Sequence, residues 1–187
     1  MNKDERIKCA LGAAGIPSKY HRRDCSLASL PEKPFKLLQG SVKSIAAIAW
    51  EKSDAQWDGD FIRWCFSGER GLEAMYLFAR ALVLNDVGVR IFTVPEVFSL
   101  VLEGNEDIEE WQQAPVVIVI GLTEKGGPRL PGPEESILRV QWFLRKQMDS
   151  DKLVMFHCEV APKADSLNWW GASFMREVQK ATTLIIV

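Results

Sequence analysis

The sequence predicts a single α/β domain in which a parallel β-sheet lies between two layers of helices. Short apolar runs typical of buried strands alternate with longer amphipathic segments typical of helices from about residue 61 onward. The chain has 187 residues, 47% of them hydrophobic and 26% charged, which is enough for one domain with a complete core. No internal repeat or low-complexity tract in the sequence indicates a second domain.

The segment before this alternation predicts two helices and a connector. DERIKCALGAAG has helical spacing with acidic residues near its start, and Gly15 and Pro17 end it. A polar, basic and proline-containing segment follows as an ordered connector, and SVKSIAAIAWEKS predicts the next helix. We therefore divide the chain into an N-terminal helix with its connector at 1–40 and the sheet-containing domain at 41–187.

Five strands and four helices are predicted in alternation after residue 60. The strands are FIRWCF, GVRIFTV, PVVIVIG, KLVMFHC and TTLIIV, and the helices between them are LEAMYLFARALVLND, PEVFSLVLEG, PEESILRVQWFLRKQMD and SLNWWGASFMREVQKA. The continuous apolar run PVVIVIG is typical of a strand buried on both faces. Strands that alternate with helices of this length favour parallel pairing with helices on both faces of the sheet.

Charge and cysteine usage limit the classes of function. The formal net charge is −2, so no overall positive field attracts nucleic acid or an anionic membrane, and DNA binding would need a local basic surface. The four cysteines form no CxxC pair and are typical of reduced thiols. The sequence contains neither a signal-peptide pattern nor a run of about 18 apolar residues. We expect a cytoplasmic protein with no membrane partner.

The segment WCFSGERGLEAM has the form of a strand, a glycine-containing turn and the start of a helix, which is where α/β proteins bind phosphate. The phosphate-binding pattern GxxxxGK[ST] requires glycines around the phosphates, a lysine on the outer phosphates and a hydroxyl on Mg²⁺. Gly68 and Gly71 are present, but Glu73, Ala74 and Met75 occupy the positions of the second motif glycine, the lysine and the hydroxyl residue. Taken alone, this turn is typical of an ordinary strand-to-helix connection.

Several segments, in order along the chain, resemble the DnaC/IstB family of AAA+ ATPases, which load replicative helicases or assist transposases. GIPSKYHRRDCSLASL resembles the family's basic and aromatic segment, and FSGERGLEAMYLFARALVLNDVGVRIFTVPEVFSLV resembles its phosphate loop and the three elements that follow. WQQAPVVIVIGLTEKG resembles the Walker B strand, ILRVQWFLRKQMDSDKLVMFHC the next helix and sensor strand, and WWGASFMREVQKATTLIIV the closing helix and strand. The resemblance covers most of residues 7–187 and implies a P-loop/AAA+ type core.

The resemblance also implies where catalytic residues would stand, and those residues are missing. The two Walker B acids fall on Ile120 and Gly121, and the sensor asparagine falls on Cys158. The paired arginines fall near Ser173 and Glu177, with Arg176 adjacent. The loss of a lysine–phosphate contact alone removes about 1.5–3 kcal/mol, and the missing acids remove the metal. We expect a pseudo-ATPase with no catalytic residue and no bound ATP, Mg²⁺ or other metal.

Two acidic residues suggest why such a loop would be kept. We hypothesise that Glu69 or Glu73 lies at the helix N-terminus as an internal substitute for phosphate, where it would satisfy free amides and the helix dipole at about 0.3–1 kcal/mol.

Three further groups of residues are candidates for a site. A nucleic-acid contact is suggested by cations mixed with an aromatic ring, although a solvated connector is the favoured interpretation: Lys19, Tyr20, His21, Arg22 and Arg23. A protein interface is suggested by tryptophans in polar surroundings: Trp111, Trp169 and Trp170. A metal site or a cysteine nucleophile is the least favoured of the three, and its candidate residues are His21, Cys25, His157 and Cys158. His157 and Cys158 are neighbours on a predicted strand, so their side chains point to opposite faces of the sheet.

The function that the sequence favours is non-enzymatic: an accessory factor, adaptor or inhibitor in DNA replication or transposition that acts by protein contact. The expected partner is a replicative helicase, a helicase loader or a related AAA+ ATPase, with self-association and single-stranded DNA as further possibilities. The Gly-Ile-Pro segment begins at residue 15, so the extension with which loaders grip a helicase is expected to be shortened, which suits a phage or mobile-element protein. An active DNA-stimulated ATPase and a single-stranded DNA-binding module are the alternatives.

Overall fold

The structure of the protein is a computed structural model. The described residues are 2–51, 63–103, 111, 113–123, 134–149, 152–159 and 170–187. They include six α-helices: α1 (Lys3–Ala13), α2 (Glu32–Glu51), α3 (Gly71–Val83), α4 (Val94–Glu103), α5 (Glu134–Met148) and α6 (Gly171–Ala181). They also contain five strands: β1 (Trp64–Ser67), β2 (Val89–Thr93), β3 (Val116–Ile120), β4 (Leu153–His157) and β5 (Thr183–Ile186).

The five strands form one sheet in the order β2-β3-β4-β1-β5, and every pair is parallel. In the register of the central strands, Ile118 of β3 lies beside Met155 of β4, and Cys65 of β1 lies beside Phe156 of β4. The predicted parallel α/β fold is confirmed, because all five predicted strands are present in the order that the alternation required. Positions 61 and 62 of the first predicted strand and positions 166–169 of the last predicted helix lie outside the described residues.

The sheet separates two hydrophobic cores. Helices α1, α2 and α3 pack on one face with inward side chains such as Trp64 and Ile118, and α4, α5 and α6 pack on the other with Cys65 and Val117. Successive residues of a strand point to opposite faces, so a strand between two helical layers must be apolar at every position. Strands β3 and β4 follow this rule and are almost entirely buried.

The N-terminal segment belongs to the first of these cores. The carbonyl of Ala14, just after α1, accepts a hydrogen bond from the Ile91 amide of the edge strand β2 (3.1 Å), and Leu38, Val42 and Ile45 of α2 are buried against the sheet. Helix α2 begins at Glu32, nine residues before the predicted start, so the division placed at residue 40 falls inside a helix.

The early start of α2 has a simple cause. The prolines of SLPEKP indicated a connector, but the second of them, Pro34, lies in the first turn of α2, where a missing amide costs nothing. The Phe35 amide already donates to the Pro31 carbonyl (3.0 Å), so the helical bonding pattern begins beside the first proline. None of the helices in the described part of the chain has both the length and the apolar character that crossing a bilayer requires.

Candidate functional site

The turn at 68–70 joins β1 to α3 and lies at the carboxyl ends of the parallel strands. Gly68 has a φ of +98°, a conformation that residues with a side chain rarely adopt. A Cβ atom on Gly68 would lie 2.5 Å from the carbonyl oxygen of Val187, just after β5. The glycine is therefore required by the close approach of the chain's own backbone.

The amides of this turn donate hydrogen bonds to the protein's own carbonyls. The Arg70 amide donates to the Val187 carbonyl (2.9 Å), the Gly71 amide to the Gly68 carbonyl (3.1 Å) and the Ala74 amide to the Arg70 carbonyl (2.9 Å). The Val187 amide donates in turn to the Ser67 carbonyl (2.9 Å), which extends the pairing of β1 with β5 into the turn. Three amides that a phosphate-binding loop would direct at its ligand thus have internal partners.

Helix α3 begins at Gly71, within the stretch that would wrap the phosphates. Ala74 and Met75, which stand at the positions of the motif lysine and hydroxyl residue, are fully buried in the core against the sheet. A lysine at position 74 would be directed into this core and away from any phosphate outside the turn. The missing motif residues and the local backbone therefore both argue against phosphate binding at this turn.

The hypothesis that an acidic side chain replaces the phosphate is wrong for Glu73. Both oxygens of Glu73 accept hydrogen bonds from the Arg70 guanidinium (2.7 Å and 3.0 Å), and this hydrogen bonding lowers the pKa of Glu73. Arg70, the N-cap residue, makes no side-chain capping bond, and Glu69 is exposed. A charged guanidinium is a stronger partner for a carboxylate than a neutral amide is, so Glu73 pairs with Arg70.

The positions of the Walker B acids lie at the end of β3, beside the end of β4. Ile120 pairs with His157 across these strands, and Gly121 has a φ of +81°. The Leu122 amide then donates to the His157 carbonyl (3.0 Å). The two positions thus carry no oxygen ligand for a metal beyond their backbone.

The sensor position, Cys158, lies in the second core rather than at a site open to a ligand. Its sulfur is 3.5 Å from the sulfur of Cys65, and both thiols are completely buried. The hydrogen bond with Cys158, together with burial, raises the pKa of the Cys65 thiol well above its ordinary value. A thiol held protonated in this way is a poor nucleophile, so thiol catalysis finds no support at this pair.

The side chains considered for a metal site do not converge. No group of three or more His, Cys, Asp or Glu side chains able to hold a metal occurs in the described ranges, which include His21, Cys25, His157 and Cys158.

The positions that the resemblance assigns to the paired arginines all lie on α6. Glu177 accepts a hydrogen bond from Arg145 (2.5 Å), Ser173 is exposed, and Arg176 donates to the Ala172 carbonyl of its own helix (3.2 Å).

His157 is a buried titratable group beneath the turn. Its Cδ2 atom lies 3.8 Å from the position that a Cβ on Gly71 would take, and its Nδ1 atom is buried with no hydrogen-bond partner among the described residues. Burial lowers the pKa of His157, and the charge of Glu159 acts in the opposite direction. Burial therefore favours the neutral form of the imidazole in the folded protein.

This burial predicts a loss of stability in mild acid. Below about pH 6.5 the unfolded chain binds a proton at His157 that the folded protein does not bind. The stability linked to His157 is therefore complete above about pH 6.5 and decreases as the pH falls toward the lower folded pKa. Urea denaturation at several pH values should show a steeper acid loss in the wild type than in His157→Gln. Equal slopes for His157→Gln and the wild type would contradict this assignment.

The basic segment is already occupied by contacts within the chain. The Tyr20 ring stacks on Tyr76 at 5.0 Å, with the Lys19 ammonium 4.9 Å from the Tyr20 centroid. His21 donates from Nε2 to the Ile16 carbonyl (2.7 Å). Base stacking on Tyr20 would have to displace its contact with Tyr76. Two further cations of the segment, Arg22 and Arg23, are exposed.

The tryptophans predicted at an interface are core residues. Trp111 and Trp170 are 0% and 1% exposed, and their indole nitrogens donate to Gln147 (2.9 Å) and to the Leu122 carbonyl (2.7 Å). The prediction took polar sequence neighbours as a sign of exposure, but each indole N–H has an acceptor within the protein. Trp169 lies outside the described residues.

An exposed tryptophan that the sequence reasoning passed over is Trp142 of α5, which is 59% exposed. Leu138, one turn earlier, is 56% exposed. This exposure could have been predicted from the segment ILRVQWFLRKQ. Leu138 and Trp142 are four positions apart on the polar side of an amphipathic helix, where two apolar side chains form an exposed patch. Leu138 and Trp142 are hereafter called the α5 patch.

The sheet order, the two helical layers and the turn after β1 define the class of the fold, a three-layer α/β domain of the P-loop AAA+ type. A structure from Streptococcus pyogenes serotype M3, provisionally assigned as a primosome component, matches with a TM-score of 0.62 and 12% identity over 100% of this chain and 97% of that chain.

Two helicase-related structures also match. DnaI matches with a TM-score of 0.58 and 12% identity over 88% of both chains. The DnaC helicase loader matches with a TM-score of 0.54 and 10% identity over 91% of this chain and 99% of that chain. No protein-family model matches the sequence, and no curated protein matches it. At these identities the structural matches establish the shared fold.

Proposed function

We propose that this chain is a helicase-loader-like AAA+ protein that does not hydrolyse ATP and acts by protein contact in DNA replication or transposition. The observation that carries the proposal is the internal hydrogen bonding of the Arg70, Gly71 and Ala74 amides. A fold of a kind used in nucleotide-dependent assembly, with these three phosphate-loop amides bonded internally, suits an accessory factor, adaptor or inhibitor. Its partner is a replicative helicase, a helicase loader or a related AAA+ ATPase.

The alternative of an active DNA-stimulated ATPase makes a different prediction. It requires the turn to open, which would break the Arg70–Val187 hydrogen bond and the helical bond of Ala74 (both 2.9 Å). It also requires a replacement for the missing lysine and Walker B acids. An ATPase assay with and without single-stranded DNA separates the two functions, and we expect no turnover above background in either condition.

The α5 patch is the surface through which we propose that a partner binds. The Lys146 ammonium lies 4.2 Å from the centroid of the Trp142 ring, so the patch combines an indole, an aliphatic side chain and a cation. Tryptophan is enriched among the residues that dominate binding energy at protein interfaces. The patch lies on a helix packed against the sheet, which keeps its residues in fixed positions.

The test is a binding measurement with the purified replicative helicase and helicase loader of the same source. We expect binding to at least one of them, and we expect Trp142→Ala to weaken it by about tenfold or more. Because Trp142 is exposed, the free energy of unfolding should change by no more than about 0.5 kcal/mol. The matched control is Leu37→Ala on α2, an exposed apolar residue (44%) on the opposite side of the sheet.

The possible outcomes distinguish the proposed function from the choice of the α5 patch as the binding surface. Binding that both variants retain at full strength would contradict the choice of the α5 patch and keep the protein-contact function. No binding to either partner, or ATP turnover stimulated by DNA, would contradict the proposed function itself.

A further inference from the structure

A cavity of about 580 Å³ lies between α1, the turn that follows Tyr20 and the C-terminal part of α3. Its acidic, basic and imidazole side chains are Asp4, Lys8, His21, Arg22, Arg23 and Arg80. We propose that this cavity binds a phosphate group, carried either by a small molecule or by the backbone of single-stranded DNA. The site is separate from the turn after β1 and independent of the proposed protein contact.

Arg80 is the centre of the proposed site. It is only 8% exposed, yet it forms no salt bridge within the described residues. Its Nη2 atom donates to the Arg22 carbonyl (3.0 Å). Its Nε atom is buried and has no hydrogen-bond partner among the residues that the structure describes. A buried cation without a paired anion is costly. An oxyanion bound in the cavity would supply the countercharge that this guanidinium lacks.

The other cations of the lining can adapt to such a ligand. Arg23 pairs with Asp4 (2.7 Å) and Arg22 with Asp24 (2.5 Å), and all four side chains are more than half exposed. Exposed ion pairs of this kind contribute little stability and exchange partners readily. Lys8 is also exposed at the cavity.

The balance of charge favours phosphate over a carboxylate. Four cationic side chains line the cavity against one acidic side chain, Asp4, so a dianion or a strand of phosphodiesters is matched better than a single carboxylate. A guanidinium presents its donors in a fork that suits phosphate oxygens. Asp24 competes with a bound anion, since the charge of Arg80 contributes, after Arg22, to the lowered pKa of Asp24.

The position and size of the cavity distinguish it from the turn after β1. Arg80 follows Gly71 by nine residues within α3, which places it about 13 Å farther along the helix axis. The volume falls within the range of about 300–1,000 Å³ that is typical of small-molecule sites. A nucleotide-sized phosphate ester or one nucleotide of a DNA strand would fit, with Ile7 and Leu84 as apolar walls.

The direct test is titration of the protein with inorganic phosphate and, separately, with a short oligothymidylate at low salt. His21 and His157 are the two histidines of the chain, so the imidazole proton signals of His21 report on the cavity and those of His157 on the turn. We expect phosphate to shift the signals of His21 and not those of His157. Tight oligothymidylate binding that phosphate displaces would identify DNA as the source, and binding of phosphate alone would identify a small molecule.

The variants test the residues. Arg80→Met is expected to weaken binding by at least tenfold, and Lys8→Met, at an exposed position where folding is not at risk, by several-fold. Arg139→Met removes a cation from the exposed side of α5 and should bind as the wild type does. The proposal is overturned if neither ligand shifts the His21 signals, or if Lys8→Met and Arg80→Met bind with wild-type affinity. Should Arg80→Met fail to fold, the Lys8→Met result decides alone.

Discussion

Replacing Gly68 with alanine is expected to destabilise the protein by about 2–4 kcal/mol. Two effects add at this position: the φ of +98° is unfavourable for any residue with a side chain, and the new Cβ would lie 2.5 Å from the Val187 carbonyl oxygen. The contact is with backbone, so no side-chain rotation relieves it. The turn and the end of β5 must separate, which breaks the hydrogen bond from Arg70 to Val187.

Urea denaturation of Gly68→Ala beside Gly40→Ala measures this effect. Gly40 lies inside α2, and a Cβ there would meet no atom within 4 Å, so that substitution should stabilise the protein by about 0.5–1 kcal/mol through helix propensity. The two variants make the same chemical change and are expected to shift stability in opposite directions. A Gly68→Ala variant as stable as the wild type would show that the turn is not held against Val187.

Restoring the motif lysine by Ala74→Lys is expected to cost about 4 kcal/mol or more and to confer no ATP binding. Ala74 is completely buried in the core formed by α3 and the sheet, so the substitution places a long cation where no anion awaits it. Such a loss is a large part of the roughly 5–15 kcal/mol that stabilises a typical domain.

The matched control for this prediction is Leu72→Lys, which places the same side chain two residues earlier at a position that is 38% exposed. Its free energy of unfolding should change by no more than about 0.5 kcal/mol. Denaturation curves and ATP titrations of both variants provide the test. Wild-type stability together with gained ATP affinity in Ala74→Lys would mean that the turn is a phosphate loop lacking only its lysine.

The strands and their order in the chain could be predicted from sequence because burial on both faces leaves an uninterrupted apolar run. PVVIVIG and KLVMFHC carry that signal directly, and both strands are buried as expected. The start of α2 could not be placed in the same way, because Pro31 and Pro34 are compatible both with a loop and with a first helical turn. Local pattern does not separate these cases, whereas packing of Leu38 and Val42 against the sheet does.

The candidate site was only partly predictable. The missing lysine and hydroxyl residue could be read from Ala74 and Met75, but the carbonyl that accepts from Arg70 belongs to Val187, at the far end of the sequence. No local pattern reveals such a partner. The pairing of Glu73 with Arg70 was within reach, because residues three apart at the start of a helix face each other.

The central claim is that the amides of Arg70, Gly71 and Ala74 donate to the protein's own carbonyls, and that the turn at 68–70 therefore binds no nucleotide. Calorimetric titration with ATP and Mg²⁺, with a thermal unfolding scan beside it, measures this most directly. We predict no heat of binding that saturates and no rise in the unfolding temperature at millimolar ATP. Saturable binding that raises the unfolding temperature would contradict the claim, since ATP at about 100 times its Kd would stabilise the fold by about 2.7 kcal/mol.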